Sequence, residues 1–356
     1  MPQPITDITF TGLAQTAILR SGRGIVALIL EDETKSDLSY VITEKNLQDN
    51  RTNFTAENYQ YIVDAFAGKP NKVLVEIINE DNDLSDALGR LQTKKWNYLA
   101  MPSASIADTT AIITYITTQS AKGKTYKAVL ADSLISSTVN NMRIINFATA
   151  SVVDNGVTYT DATYCPKIAG FLAGISLAES ATNKIIDTIT SITESTDADT
   201  DADNGKLIII SDGENYKLGR AVNTLTTLSE DQTLDMKKIK IVEGMDMIAE
   251  DIKLSFDENY RGKVINSYSK KLDFIGEINQ YLGELEPSVL YEEYNNSAEI
   301  DISAQKDWLE NTAHKDTSDW SDAEIKEANT ASNVFVLMNV QFADAMEDLY
   351  VKVIMN

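Results

Sequence analysis

Between residues 25 and 148 the hydrophobic period of this chain switches back and forth, and that switching constrains the fold more than any other feature. IVALIL (25–30) is apolar at every position and is set off by SGRG at 21–24. A strand with no polar face needs cover on both sides. NFTAENYQYIVDAFAG (53–68) then repeats at helical spacing, with Tyr59, Ile62, Val63 and Phe66 on one side, and Gly68 ends it before the strand-like KVLVEII (72–78). The alternation continues through a helix at 84–94, WNYLAM (96–101), a helix over 107–121 opened by Asp108, YKAVLAD (126–132) and a short strand in MRIINFA (142–148). Strand and helix alternating four times predict an open α/β sheet with mostly parallel strands, because parallel neighbours need helical crossovers.

The second half reads differently. TESTDADTDADNG (193–205) is too polar to bury a core and is expected to be an exposed loop or linker. KLIIISDGENYKLGRAVN (206–223) places two strand-like runs around Asp212-Gly213, a hairpin signal. Two long helical patterns follow, 235–261 (Met236, Ile239, Val242, Met245, Ile248, Ile252) and 263–284 (Ile265, Tyr268, Leu272, Ile275, Ile278, Leu282), punctuated by Gly262 and Pro287. The chain closes on NVFVLMNVQFADAMEDLYVKVIMN (333–356), two alternating apolar runs six residues apart. Hairpin, helices and terminal strands together predict an α+β domain.

Composition narrows the chemistry. With 31 basic and 54 acidic side chains the formal charge is −23, which opposes nucleic-acid phosphates and anionic lipid. No run reaches the ~20 apolar residues that span a bilayer, and MPQPITDITF lacks the layout of a secretion signal, so a cytoplasmic origin is the expectation. One cysteine, Cys165, excludes an intrachain disulfide or a Cys-based zinc cage. The single histidine, His314, sits in the polar TAHKDTSDW and reads as a solvated loop residue. Asp197, Asp199, Asp201 and Asp203 alternate like calcium-loop ligands, but counting from Asp199 the sixth residue is Asn204 instead of Gly and the twelfth is Ile210 instead of Glu. No GxGxxG or GxxxxGK[ST] occurs, and Asp212-Gly213 reads as a turn. Met236, Met245 and Met247 read as core at helical spacing. No catalytic, cofactor-binding or metal-ligating residues are expected.

Three segments remain distinctive. In ATYCPKIAGFLAGISLAESATNK (162–184) they are Pro166, Gly170, Gly174, Ser180, Thr182 and Lys184; in GRAVNTLTTL they are Gly219, Arg220, Val222, Asn223, Thr224, Leu225 and Thr226; at the end, two strands flank Ala343, Asp344, Ala345 and Met346. In order and spacing, over roughly residues 160–356, they resemble contractile tail sheath proteins. The likeness is to the short subunits of Gram-positive phages, defective prophages and R-type phage-tail-like bacteriocins of the diffocin kind.

The resemblance implies a structural protein. Such subunits stack as rings or a helix around an inner tube, stay extended and metastable until a baseplate triggers them, then contract and drive the tube through the target envelope without ATP or cofactor. It implies an outer α/β domain (21–160), a connecting segment with the acidic loop (161–205), an α+β sheath core domain facing the tube (206–348), and extended arms at 1–20 and 349–356 that add strands to neighbours. The arm residues would be Ile5, Ile8, Phe10, Leu349, Val351, Val353 and Met355, and Lys237, Lys238, Lys240, Lys270 and Lys271 are candidate tube contacts. The implied partners are further copies of the chain, the inner tube protein, and baseplate and terminator or collar proteins, with no nucleic acid and no membrane insertion. Assembly would occur in the bacterial cytoplasm, and lysis would release a phage tail or bacteriocin particle. If contraction buries ~400 Å² more apolar surface per subunit, it releases on the order of 10 kcal/mol.

The alternative is an α/β binding module or metal-dependent enzyme using the loops at the carboxyl ends of its strands, Glu31 to Lys35 and Asn79 to Asp83. For the closing segment, Val334, Val336, Met338, Val340 and Phe342 share one side, with Phe335 and Leu337 opposite, so this strand is expected to lie inside a sheet with both faces covered near its start. The final run has one apolar face, Leu349, Val351, Val353 and Met355. The short connection and pattern alone favour antiparallel pairing within the chain. The resemblance turns that expectation toward the next subunit.

Overall fold

The fully apolar strand β1 (Ile25–Glu31) is covered on both sides, as its composition requires: every residue from Ile25 to Leu30 is buried. The computed structural model describes residues 22–136, 138–286 and 288–355. After β1 come β2 (Ser39–Ile42), α1 (Ala56–Phe66), β3 (Lys72–Ile78), α2 (Leu84–Gln92), β4 (Tyr98–Ala100), α3 (Ile106–Ala121), β5 (Lys127–Ala131) and β6 (Ile144–Phe147). Then follow β7 (Ser151–Asp154), β8 (Val157–Thr160), α4 (Asp161–Gly174), β9 (Ile189–Ile192), α5 (Ala198–Asp203), β10 (Lys206–Leu207), β11 (Ile209–Ser211) and β12 (Tyr216–Leu218). The chain continues with α6 (Ile239–Ser255), α7 (Tyr268–Leu285), β13 (Ser297–Ile300), α8 (Ile302–Asn311), α9 (Asp322–Glu327) and β14 (Val336–Asn339).

Two compact units result, residues 22–247 with 344–355, and 248–343. The larger holds a seven-stranded sheet in the order β10-β6-β5-β4-β1-β3-β2, parallel throughout except for β2 on β3. Alternate residues of β1 enter two cores. Val26, Leu28 and Leu30 join Tyr61, Ile62 and Ala65 of α1 and Tyr164, Ile168 and Leu172 of α4. Ile25, Ala27 and Ile29 join Leu84, Leu88 and Leu91 of α2 and Ile112 and Ile116 of α3. Helix starts follow local chemistry: Asp83 and Ser105 close capping boxes with Asp86 and Asp108.

Helix α4 was legible only as a run of small residues, and its glycines have a packing reason. A Cβ at Gly170 or Gly174 would overlap the carbonyl oxygen of Ala65 or Gly68, so only glycine lets α4 lie this close to the α1 turn. A small sheet in the order β8-β7-β9 completes this unit; its β7–β8 turn uses Asn155 and Gly156, both at positive φ.

The acidic stretch is exposed, as expected, but it is not a structureless linker. Asp197 caps α5 by accepting from the Thr200 N–H, and the chain runs at once into β10, which pairs in parallel with β6. The expected hairpin forms as β11 and β12, with Asp212 accepting from the N–H groups of Glu214 and Asn215. These backbone bonds, with Lys217, hold the Asp212 carboxyl down at about 2.

The predicted 235–261 helix is broken into a 3-10 turn (Leu234–Lys237), α6 and a five-residue π turn (Phe256–Tyr260). In the smaller unit Phe274, Ile278, Tyr281 and Leu282 of α7 are buried. The expectation of a terminal strand covered on both faces is corrected. β14 pairs only with β13 in a two-stranded antiparallel sheet, and Leu337 and Met338 are exposed. Residues 334–336 at its start are half-buried, and among the described residues no second strand pairs with its other edge.

Candidate assembly interface

The three distinctive segments converge on one place in the larger unit. Residues 183–186 run beside β12: Asn183 N–H donates to Leu218 C=O and Leu218 N–H to Lys184 C=O, both at 2.9 Å. Thr182 Oγ1 accepts from the Ala221 N–H at 2.9 Å, joining the first segment to the second. Asn223, fully buried, braces the next turn; its Nδ2 donates to Met236 C=O and its Oδ1 accepts from the Leu225 N–H. Buried amides of this kind are worth most when both ends are satisfied.

The third segment is held here by charge. Arg220 donates to Asp348 Oδ1 at 2.7 Å, Lys238 donates to Asp344, and Ser180 Oγ donates to Glu347 Oε1 at 2.8 Å. Glu347 Oε2 lies 3.6 Å from Arg220 and 3.7 Å from Lys238. The hydrogen bond to Asp348 and the two nearby carboxylates push the Arg220 guanidinium pKa up. Burial opposes the charge on Lys238, but Asp344 and Glu347 outweigh it and hold its ammonium above the ordinary range. Immediately beyond, Leu349, Tyr350, Val351, Val353, Ile354 and Met355 project into solvent, and the least exposed of them, Val351, is 71% exposed. Ile5, Ile8 and Phe10 lie outside the described residues.

The five lysines singled out in sequence do not share one setting. Lys237 is half-buried, Lys238 belongs to the ion-pair cluster, and Lys240 reaches Ala178 C=O at 3.4 Å with its pKa lowered by burial. In the smaller unit Lys270 pairs with Asp273 at 2.7 Å. Lys271 is buried, donating to Thr330 Oγ1 at 2.8 Å and to Gln305 Oε1 at 3.2 Å; burial lowers its pKa, and it offers no surface charge.

The residues weighed for catalysis have local employment. Cys165 donates to Asp161 C=O, and burial pushes its thiol pKa well up, away from the nucleophilic thiolate. Asp32, in the first acidic loop, accepts from the N–H groups of Thr34 and Thr55 and from Asn58 Nδ2, tying the loop to the start of α1. Asp83, in the second, is the cap of α2. His314 is exposed, and among the described residues no three His, Cys, Asp or Glu gather to hold a metal. The charge cluster itself was missed in sequence because its members stand more than a hundred residues apart; Arg220 was noted only as part of a motif.

The model of the phage tail sheath C-terminal domain family matches residues 231–356. The chain is 36% identical over 358 residues to the tail sheath protein of Clostridium phage phiCD119, covering 98% of each. Its fold is similar to that of a sheath tail protein from Desulfitobacterium hafniense (TM-score 0.68, 13% identity, 83% of this chain and 94% of that one). It is also similar to the helical sheath of the anti-feeding prophage in its contracted state (TM-score 0.70, 12% identity, all of both chains). With full-length similarity to a curated relative and the sheath domain at its carboxyl end, this chain belongs to the phage tail sheath protein family.

Proposed function

We propose that copies of this chain stack around a rigid inner tube, remain in a metastable extended array, and contract to drive the tube through a target cell envelope. The observation that carries this reading is the segment 349–355, apolar on one face and exposed throughout, in a member of the tail sheath family. A strand left without neighbours is completed by main-chain hydrogen bonds from another chain, and such bonds tolerate movement of the rest of each subunit. The receiving edge on the next copy is β14. Beside it runs an open groove of about 320 Å³, lined by Ile252, Phe256, Phe274, Ile278, Val336 and Met338, which suits the apolar face of Leu349, Val351, Val353 and Met355.

By analogy with the family, Lys237, Lys240 and Lys270 are offered to the tube. The partners are other copies, the inner tube, the baseplate and the terminator or collar. The relatives of like fold include a contracted helical sheath and a baseplate assembly of the anti-feeding prophage. Assembly takes place in the bacterial cytoplasm, and the phage tail or bacteriocin particle leaves by lysis, without nucleic-acid binding or membrane insertion by this chain. The work comes from the difference between two packings of the same subunits, so no enzymatic step is assigned.

Electron microscopy of the expressed chain, alone and with its tube and baseplate proteins, tests this. Rings or tubes are expected; a strict monomer under every assembly condition overturns the reading.

A further inference from the structure

Residues 344–355 have an unusual attachment. Among the described residues, no main-chain hydrogen bond joins them to the rest of the chain; the last is Ala343 N–H to Val289 C=O. Among the described residues, the bonds that hold 344–348 run through side chains: Asp344 to Lys238, Glu347 to Ser180, Arg220 and Lys238, and Asp348 to Arg220. Met346, between these points, is fully exposed, so the segment does not adhere through apolar contact there. Glu347 is the centre of the arrangement. Its side chain is only 7% exposed, with a hydroxyl on one oxygen and two cations near the other. From residue 349 to 355 no further contact of this kind is made among the described residues, and the apolar side chains of that run face solvent.

We infer that Arg220, Lys238 and Glu347 are positioning residues for strand donation: they clasp the root of the carboxyl-terminal segment to its own subunit and so set where the donated strand begins, at residue 349. This inference rests on the sheath reading for what the strand is for, but the clasp itself is a property of one chain. Its physics gives two consequences. A strand whose root is fixed loses less freedom on reaching its acceptor than one on a loose tether, so the clasp raises the effective concentration of the arm at the neighbouring edge. Because the tether is electrostatic and partly exposed, with Arg220 at 40% and Lys238 at 25%, salt weakens it, and the arm's presentation becomes dependent on ionic strength.

The test compares the full-length chain with Arg220→Gln/Lys238→Gln, with Glu347→Gln, and with Glu347→Asp as the conservative variant. In dilute, unassembled protein, cleavage after Glu347 and Asp348 in the wild type and in the Arg220→Gln/Lys238→Gln double variant by a protease specific for acidic residues reads the clasp directly. The double variant is expected to be cut about tenfold faster than wild type, since each ion pair of a partly buried network shifts the opening equilibrium by several-fold. The Glu347 variants are read by assembly. In wild type the critical concentration rises with salt; in Arg220→Gln/Lys238→Gln and in Glu347→Gln it is already about tenfold higher at low salt and flat, and Glu347→Asp restores part of both. Equal cleavage in wild type and double variant, or an unchanged critical concentration with the same salt slope, overturns the clasp. Failure of wild type itself to assemble counts against the sheath reading, and the cleavage comparison still decides the clasp.

Discussion

Residues 25–30 and 349–355 are two apolar segments of nearly the same length, IVALIL and LYVKVIM, and the structure treats them in opposite ways. The first lies in the middle of a seven-stranded sheet with β3 and β4 on its two edges and cores on both faces. The second has no strand partner among the described residues and stands in solvent. Hydrophobicity does not separate them. What separates them is whether helices close enough in sequence can bring neighbours to both edges. β1 is followed by crossovers that return β3 and β4 to it, whereas among the described residues no strand is brought beside the last segment, whose root is held by ion pairs.

The comparison can be broken most severely by placing a carboxylate in each segment. Leu28→Asp buries an unpaired charge and is expected to unfold the larger unit, a loss of more than about 4 kcal/mol in chemical denaturation. Val351→Asp is expected to leave stability within about 0.5 kcal/mol and to abolish polymer formation by electron microscopy. If Val351→Asp instead unfolds the chain, the segment is an internal staple. Deleting residues 349–356 sharpens the same point, with an unchanged melting temperature and loss of tubes expected.

Next in size is the ion network behind the sheet. Lys127 on β5 pairs with Glu243 at 2.8 Å and with Asp246 at 2.5 Å, Arg143 reaches Asp246 at 2.7 Å, and Tyr98 donates to Glu243 at 2.6 Å. Removing one partner strands the others, so Lys127→Met is expected to cost about 3–5 kcal/mol of urea stability. The clasp cations Arg220 and Lys238 are far more exposed, and their replacement is expected to change stability by under about 1 kcal/mol while changing assembly.

The same network predicts a pH dependence. Burial raises the Glu243 carboxyl pKa, but Lys127, Arg23 and Tyr98 more than offset this and hold it at about 2, below its ordinary 4.5. A depressed carboxylate stabilises the fold fully above 4.5, and that contribution is lost as pH falls toward about 2. Acid titration of stability should show this slope, and Glu243→Gln should remove about one proton from it.

The smallest effect is expected at Glu277 in the smaller unit. Burial pushes its carboxyl pKa up, opposed by the Tyr260 hydroxyl, and its Oε2 has no hydrogen-bond partner among the described residues. A raised carboxyl favours folding while protonated and loses that advantage as pH rises through its folded pKa, so at pH 7 the ionised group is a burden. Glu277→Gln is expected to stabilise by at most about 1 kcal/mol at pH 7 and to lose the gain in mild acid, read by thermal melts.

The periodic part of the fold was legible almost residue by residue. The strands at 25–31, 72–78, 98–100, 127–131 and 144–147 and the helices between them follow from which positions are apolar. Strand β2 and the β7–β8–β9 sheet were not found, because four-residue strands are too short for a period, although the Asn155-Gly156 turn was a usable signal. Helix α4 was hidden by Pro166 and by glycines whose value is packing instead of propensity. For β14 the alternation was real, but it could not say that only one neighbour, β13, would come. Among the lysines, charge alone could not reveal that Lys271 turns inward to Thr330 and Gln305.

By itself, the order of apolar and polar residues determined that this chain builds a parallel sheet with helices on both faces, a hairpin at Asp212-Gly213, and a final strand-like run. These are local matters, settled by backbone geometry and burial within a few tens of residues. Only the tertiary structure decided that the final run has no strand partner among the described residues and that its root is held by Arg220 and Lys238, 128 and 106 residues before Asp348 and Asp344. Side-chain charges meeting across such separations leave no period to read. Their partners are chosen by where the whole fold has already placed them.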